Sequence, residues 1–483
     1  MAEKRVHAFG DDALGDDDAV GVAERIRRGE ISPREAVEAA VRRIEQVEPR
    51  LRGVELAAFE QVLEQVPERP GEGVFAGVPT LIKDNTDVRG WPTRHGSAAV
   101  LYPSPAKDHG AFAKQYLAQG FTLLGKSRLP EFGFSASTEF EHEPPTRNPW
   151  HTDHSPGASS GGAGALVAAG ALPIAHANDG GGSIRIPAAC CGLVGLKPSR
   201  GRFVDSEMTR SLPVNVVGEG VVTRSVRDTA AFFYGAEAYH RNRRLPPVGR
   251  VEGPGRKRLR VGVVLDSING QATCDETRET VLETARLLES QGHRVEPIDA
   301  PVPLSFREDF LLYWGFLSWS LSTFGRRILS PDFDPDRVDG LSKGLRAHYR
   351  RSGWRTPQML YRFRQVRRHY ERHFQQQDVV LSPVLAHVTP RLGWLNPSVP
   401  FEELIERLTA WVGFTPINNV SGTPAMSLPM GESREGLPIG VHLSGASGGE
   451  RTLLELAFEL EQLRPWRRIQ DEEGANTVTA ATV

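Results

Sequence analysis

The chain has 483 residues, with 58 Lys and Arg against 60 Asp and Glu and a net charge of -2. That length suits one large α/β enzyme or two or three average domains. The balanced charge argues against a protein whose main task is coating nucleic acid or an anionic membrane. The three cysteines, Cys190, Cys191 and Cys274, show no C-x-x-C spacing, which excludes a disulfide framework and points to a reducing, cytoplasmic setting. The acidic start lacks the hydrophobic stretch of a signal peptide, and no apolar run has the ~18 residues that a membrane span needs.

The first 17 residues are expected to fray, and 471–483 to form a disordered tail. Between them, 18–470 reads as one folded unit. Asp18 to Glu48 has helical spacing broken at Gly29; Val37, Ala40, Val41 and Ile44 form one face, and Ser32-Pro33 with Glu35 marks a helix start. GVPTLIKDN (77–85) reads as a strand whose apolar part ends at Lys83. A helix is expected over 111–119 and a strand over 121–127. From Pro130 to Gly201 the composition turns to Gly, Ser, Ala, Pro and Asn. The apolar segment 163–177 inside it favours close backbone packing around a site over a flexible linker. LRVGVVLD (259–266), a helix over 275–292 and a strand at 293–299 make a β-α-β pattern. Residues 306–375 read as helical, 378–385 and 425–430 as short buried strands, and 449–463 as a closing amphipathic helix.

The chemistry concentrates in 155–202, for which three readings compete. A phosphate cradle needs a Gly-Lys-Ser/Thr ending or a G-x-G-x-x-G opening, and neither spacing is met. Gly157-Ala158-Ser159-Ser160-Gly161 matches the G-x-S-x-G elbow. That turn needs a strand directly before it, however, and NPWHTDHSP cannot form one; nothing local supports His387 or His442 as its base. The third reading pairs two serines with a lysine. A serine hydroxyl needs a base to become a nucleophile, and a buried lysine serves once desolvation has neutralised it. Lys83 ends an apolar run, and Ser183 follows Gly180, Gly181 and Gly182, whose unshielded amides suit an oxyanion.

This block resembles the signature of the amidase signature family, a G-G-S-S-G-G stretch followed about two dozen residues later by D-x-G-G-S-I-R-x-P. The chain departs at Ala158, where Gly is usual. Further landmarks stand in the family's order: GVPTLIKDN, GKSRLPEFG (125–133), PTRNPW (145–150), DVVLSP (378–383), SGTPAMSLPMG and GLPIGVHL. The resemblance spans 18 to 470. It implies Ser183 as nucleophile, Ser159 as a bridging serine on a cis peptide, and Lys83 as base. It also implies an oxyanion hole from Gly180, Gly181, Gly182 and Ser183, with Ser160, Asp179 and Arg185 in support. The implied fold is a single α/β/α domain around a mixed, mostly parallel twisted sheet, with a helical cap within 300–410. The implied activity is hydrolysis of small linear, cyclic or aryl amides, with carbamates or esters as further substrates, without cofactor or metal. The partner is a small-molecule amide, not nucleic acid or membrane, and homodimers are frequent in the family.

The run Ala177-Asn178-Asp179-Gly180-Gly181-Gly182-Ser183-Ile184-Arg185-Ile186-Pro187 resembles the branch containing 6-aminohexanoate cyclic-dimer hydrolase. The alternative, the glutaminase subunit of a tRNA-dependent amidotransferase, usually carries Thr at position 180 and Gln at 186. Plainer roles suit other residues. His176, three residues before Asp179, reads as a packed core histidine, and His151 and His154 as solvated loop residues. Cys190 and Cys191 read as small buried groups behind the loop. The arginine-rich 361–374 helix reads as a solvated face, and Tyr313, Trp314, Phe316 and Trp319 as core residues, some of which line a pocket.

Overall fold

The computed structural model describes residues 4–471. The helices begin where the sequence provides caps. Asp18 caps the Ala19–Arg28 helix by accepting from Gly21 N, and Gly29 ends it in the left-handed conformation at φ 72°. Ser32 and Glu35 then form a reciprocal capping box for Pro33–Leu51, which buries the Val37, Ala40, Val41 and Ile44 face.

Among the described residues eleven strands follow: β1 (Val54–Ala57), β2 (Pro79–Lys83), β3 (Thr122–Ser127), β4 (Ile174–Asp179), β5 (Val194–Lys197), β6 (Gly218–Thr223), β7 (Arg260–Val263), β8 (Arg294–Pro297), β9 (Val379–Pro383), β10 (Ala425–Glu432) and β11 (Pro438–Gly445). They form a three-stranded sheet, β1-β3-β2, and an eight-stranded sheet, β4-β6-β5-β10-β11-β9-β7-β8. The sheets meet at β2 and β4 through side chains: Thr80 Oγ1 donates to Ile174 O over 2.9 Å, and Lys83 N to His176 Nδ1 over 3.1 Å. Helices, Gly161–Ala168 and Arg185–Cys191 among them, pack against the sheets, and one large apolar core runs through the body.

The sheet is mixed, as expected, but not mostly parallel. Among the described residues, five pairings in the larger sheet are antiparallel, and two, β7 with β8 and β7 with β9, are parallel. A parallel neighbour needs a crossover that returns the chain to its starting edge. The Asp275–Ser290 helix provides one between β7 and β8. The β10–β11 connection is instead a short turn closed by Ser433 N to Leu437 O over 2.8 Å. The cap is interrupted as well. Of the helices in that span, Phe306–Ile328 lines the cavity, Gly340–Ser352 and Thr356–His373 pack against it, and β9, within the same span, lies in the main sheet.

The described part of the segment expected to fray, residues 4–17, is held. Val6 N donates to Pro149 O and Ala8 N to Ala169 O, each over 2.8 Å. Arg43 binds Asp12 through Nε and Nη2, both at 2.7 Å. Leu14 is buried in the main core, so apolar residues scattered among the aspartates are enough to dock this stretch. Of the expected tail, 472–483 lie outside the described residues. Among the described residues no helix is long and apolar enough to cross a membrane.

Candidate active site

Three segments converge where the two sheets meet. Strand β2 ends at Lys83, the turn before the Gly161–Ala168 helix carries Ser159 and Ser160, and the loop from β4 to the Arg185–Cys191 helix carries Ser183. The Ala158–Ser159 peptide is cis. Lys83 is fully buried. Its Nζ lies 2.6 Å from Ser159 Oγ, 3.0 Å from Ser160 Oγ and 2.7 Å from Asn178 Oδ1. Burial pushes the Lys83 pKa down to about 7, against an opposing pull from the carboxylates of Glu219 and Asp179. The nitrogen therefore has access to its neutral form near neutral pH.

Asp179 and Arg185 hold the serine loop from below. Arg185 Nε and Nη2 donate to the two Asp179 oxygens, each over 2.8 Å, with neither side chain exposed. Burial alone would raise the Asp179 carboxyl, but the guanidinium overrides it and holds it well below the carboxylate range. Arg185 also donates to Thr415 O (2.9 Å), Asn418 Oδ1 (3.3 Å), Asn419 Oδ1 (2.8 Å) and His442 Nε2 (3.0 Å). Thr415 Oγ1 donates to Gly181 O over 2.6 Å. The Asp179 and Arg185 side chains and the Gly181 carbonyl are thus occupied. Among the described hydrogen bonds, none takes the amides of Gly181, Gly182 or Ser183. Gly182, at φ 141°, is pressed between Thr415 and Ile186, where a Cβ would come within 2.5 Å of Thr415 Oγ1.

Ser159 and Ser183 both open onto one cavity of about 700 Å³. Among the described hydrogen bonds none joins their hydroxyls; the Ser159 hydroxyl pairs with Lys83, and Ser183 faces the cavity. Gly133, at φ 71°, also packs on Ser159, and a Cβ there would stand 2.9 Å from Ser159 Oγ. Much of the apolar wall comes from the Phe306–Ile328 helix, along which Phe306, Phe310, Tyr313, Trp314, Leu317 and Leu321 follow helical spacing. Tyr313, Trp314 and Phe316 line the cavity, whereas Trp319 packs on Phe316 and Tyr349.

The other candidates have plainer surroundings. His176 takes the Lys83 backbone N–H and faces Glu219 rather than a serine. His442 is bound to Arg185, and His387 Nδ1 to Val388 O at 2.9 Å. His151 and His154 meet edge to face, with ring centroids 4.5 Å apart, and His154 is buried rather than solvated. Cys190 and Cys191 are buried free thiols, and burial raises that of Cys190 to about 12. The arginine-rich helix buries Met359, Phe363, Val366 and Tyr370 and turns Arg367 to solvent beside Glu371. Sequence reasoning missed Asn178, Gly133, Thr415 and the Asn418-Asn419 pair. The adjacent amides in FTPINNVSG were the available signal, since buried amides seldom go unpaired.

A buried lysine–serine pair thus lies below a largely apolar cavity, beside the Gly181, Gly182 and Ser183 amides, which take no described hydrogen bond. The sequence profile of the family described as Amidase matches residues 35–454, and the chain belongs to that family. It is 53% identical, over 97% of its own length and 99% of the relative's, to the protein named "Putative amidase AmiC" of Mycobacterium leprae. It is 34% identical to the 6-aminohexanoate-cyclic-dimer hydrolase of Pseudomonas sp. (strain NK87), covering 96% of this chain and 98% of that one. A solved structure of 6-aminohexanoate cyclic dimer hydrolase with substrate superimposes with a TM-score of 0.84 at 32% identity, over 95% of this chain and 99% of the other. The glutamyl-tRNA(Gln) amidotransferase subunit of Halothermothrix orenii is more distant, at 28% identity over 90% of this chain and 95% of the relative.

Proposed function

We propose that this amidase hydrolyses small, largely apolar linear, cyclic or aryl amides through an acyl-enzyme on Ser183, with Ser159 as proton bridge and Lys83 as base. The arrangement of protons around Lys83 Nζ carries the reading. Asn178 Oδ1 only accepts, and the Ser160 hydroxyl proton is directed to Asn178 O at 3.3 Å. The two N–H bonds of a neutral amine are therefore used by Asn178 and Ser160. The lone pair is left for the proton of Ser159.

Lys83 then takes the Ser159 proton while Ser159 takes that of Ser183, and Ser183 Oγ bonds to the carbonyl carbon. Negative charge develops on the carbonyl oxygen, opposite the amides of Gly180, Gly181, Gly182 and Ser183. On collapse the C–N bond breaks, and the proton stored on Lys83 returns through Ser159 to the departing nitrogen. Water enters by the same relay, the ester breaks, and a carboxylic acid leaves with Ser183 restored. The relay requires the Ser183 hydroxyl to reach Ser159 Oγ across the cavity onto which both open.

Ser183→Ala is expected to abolish turnover of acyl-p-nitroanilides, and Ser159→Ala nearly so, with both variants folded. Mass spectrometry of quenched wild-type enzyme should find the acyl group on the peptide containing Ser183. An acyl group on another residue, or none under burst conditions, overturns the assignment. Ile186 in place of Gln favours a free-standing amide hydrolase over the amidotransferase subunit. Strong glutaminase activity with co-purifying subunits would reverse that choice.

A further inference from the structure

We infer that His176 and Glu219 form a positioning dyad for Lys83: His176 anchors the lysine backbone at the junction of the two sheets, and the Glu219 carboxylate holds the imidazole in the tautomer that does so. The inference rests on the reading of Lys83 as the base, and it concerns two side chains that the relay itself does not use.

Strands β2 and β4 lie side by side without a β-ladder between them; each belongs to a different sheet. At the catalytic end, the Lys83 N–H is met by a side chain, His176 Nδ1, at 3.1 Å. An imidazole that accepts at Nδ1 must, when neutral, carry its proton at Nε2. The Nε2 partner is Glu219 Oε2 at 3.0 Å, on β6, where Glu219 pairs with Asn178 of β4. His176 is fully buried and Glu219 nearly so. The rings of Phe112 and Tyr116 pack on the imidazole at centroid distances of 4.9 and 5.7 Å. The chain of contacts therefore runs Glu219–His176–Lys83 backbone, then through the lysine stem to Ser159.

The charges around this chain are few. On β4, Asp179 acts on Lys83 and is already engaged by Arg185. Glu219 acts on both Lys83 and His176, and also on Asp205, whose carboxyl is raised by burial first and by Glu219 besides. Tyr116 contributes a hydroxyl bonded to Thr80 Oγ1 at 2.7 Å and no charge. Burial keeps His176 below its usual range even against the pull of Glu219, so the ring stays neutral and remains an acceptor. Glu219 thus has two effects: it orients His176, and its negative charge favours the ammonium form of Lys83.

The second effect separates positioning from mere support. The rate of attack rises with pH as Lys83 loses its proton. Removing the negative charge in Glu219→Gln makes the ammonium less favourable, so the acidic limb of kcat/KM should move to lower pH, by on the order of one unit. Two readouts are used: hydrolysis of hexanoyl-p-nitroanilide, and the rate of inactivation by phenylmethanesulfonyl fluoride, which reports serine activation whatever the natural substrate is. His176→Phe keeps the packing but strands the Lys83 N–H. It should lower kcat about tenfold with KM little changed, as expected for a lost buried hydrogen bond. His176→Asn, whose amide oxygen stands where Nδ1 does, should recover most of that loss. A limb that stays in place in Glu219→Gln, in a variant with wild-type Tm, overturns the dyad while Lys83 remains the base. Equal losses in His176→Phe and His176→Asn overturn it as well. Activity in Lys83→Ala would remove the reading beneath it.

Discussion

Lys83 Nζ lies 2.6 Å from Ser159 Oγ and 2.7 Å from Asn178 Oδ1, and the two contacts differ in kind. The amide oxygen only accepts and so fixes one N–H of the amine; the hydroxyl both gives and takes a proton. Because the lysine is fully buried, desolvation disfavours its ammonium form, and the fixed acceptor orients the neutral form that remains.

The pH dependence follows with a definite sign. In the proposed mechanism the active form is the neutral amine, so kcat/KM should rise with pH and level off above about 7, the value to which burial brings Lys83. Below that the rate should fall about tenfold per pH unit. Lys83→Arg, which stays charged at every accessible pH, should show only residual activity across the profile. A profile flat from acid to neutral pH would contradict the assignment.

Gly133→Ala should damage catalysis without unfolding the protein. The backbone there is left-handed at φ 71°, and an alanine Cβ would come within 2.9 Å of Ser159 Oγ. The conformational cost is about 1–2 kcal/mol, small for a chain of this size. The Ser159 hydroxyl, however, must shift from its present contact with Lys83. Kinetics should show a loss in kcat of at least about tenfold, alongside a Tm lowered by only a few degrees.

Asp179→Asn should be a stability variant first. Arg185 is wholly buried, and removing one partner of a buried ion pair leaves an uncompensated charge, at a cost of about 3–5 kcal/mol. Denaturant titration should register that loss. Because the carboxylate also accepts from Ile184 N at 3.2 Å, the serine loop should loosen and kcat should fall with it.

Phe310 lines the cavity, and its Cζ stands 3.4 Å from where a Cβ on Gly181 would lie. Phe310→Ala opens the apolar wall next to the reacting carbonyl. Across an acyl-p-nitroanilide series, KM for hexanoyl should rise roughly tenfold relative to acetyl, since a few methylenes lose their contacts. An equal change for both acyl groups would place Phe310 outside substrate binding.

Local signals are readable wherever one residue type has one use. The capping box at Ser32 and Glu35, the strand ending at Lys83 and the three glycines before Ser183 each follow from propensity and spacing. The strand directions do not follow. β10 and β11 are adjacent in sequence and pair antiparallel, and β5, from the middle of the chain, comes between them and β6. Pairing of that kind depends on which apolar faces meet, and residue order alone does not encode it. The N-terminal stretch misleads for a related reason, because its few apolar residues are scattered among aspartates and show no periodicity.

The composition and order of residues determined the chemistry on offer: two serines, one lysine at the end of an apolar run, and glycines that leave amides bare. Only the tertiary structure decided which acceptors surround the Lys83 nitrogen, that Asn178 and His176 belong to its support, and that the Phe306–Ile328 helix walls the cavity. The physical reason is range. Propensity and spacing act over a few residues, whereas desolvation, proton direction and cavity shape are set by groups brought together from distant parts of the chain.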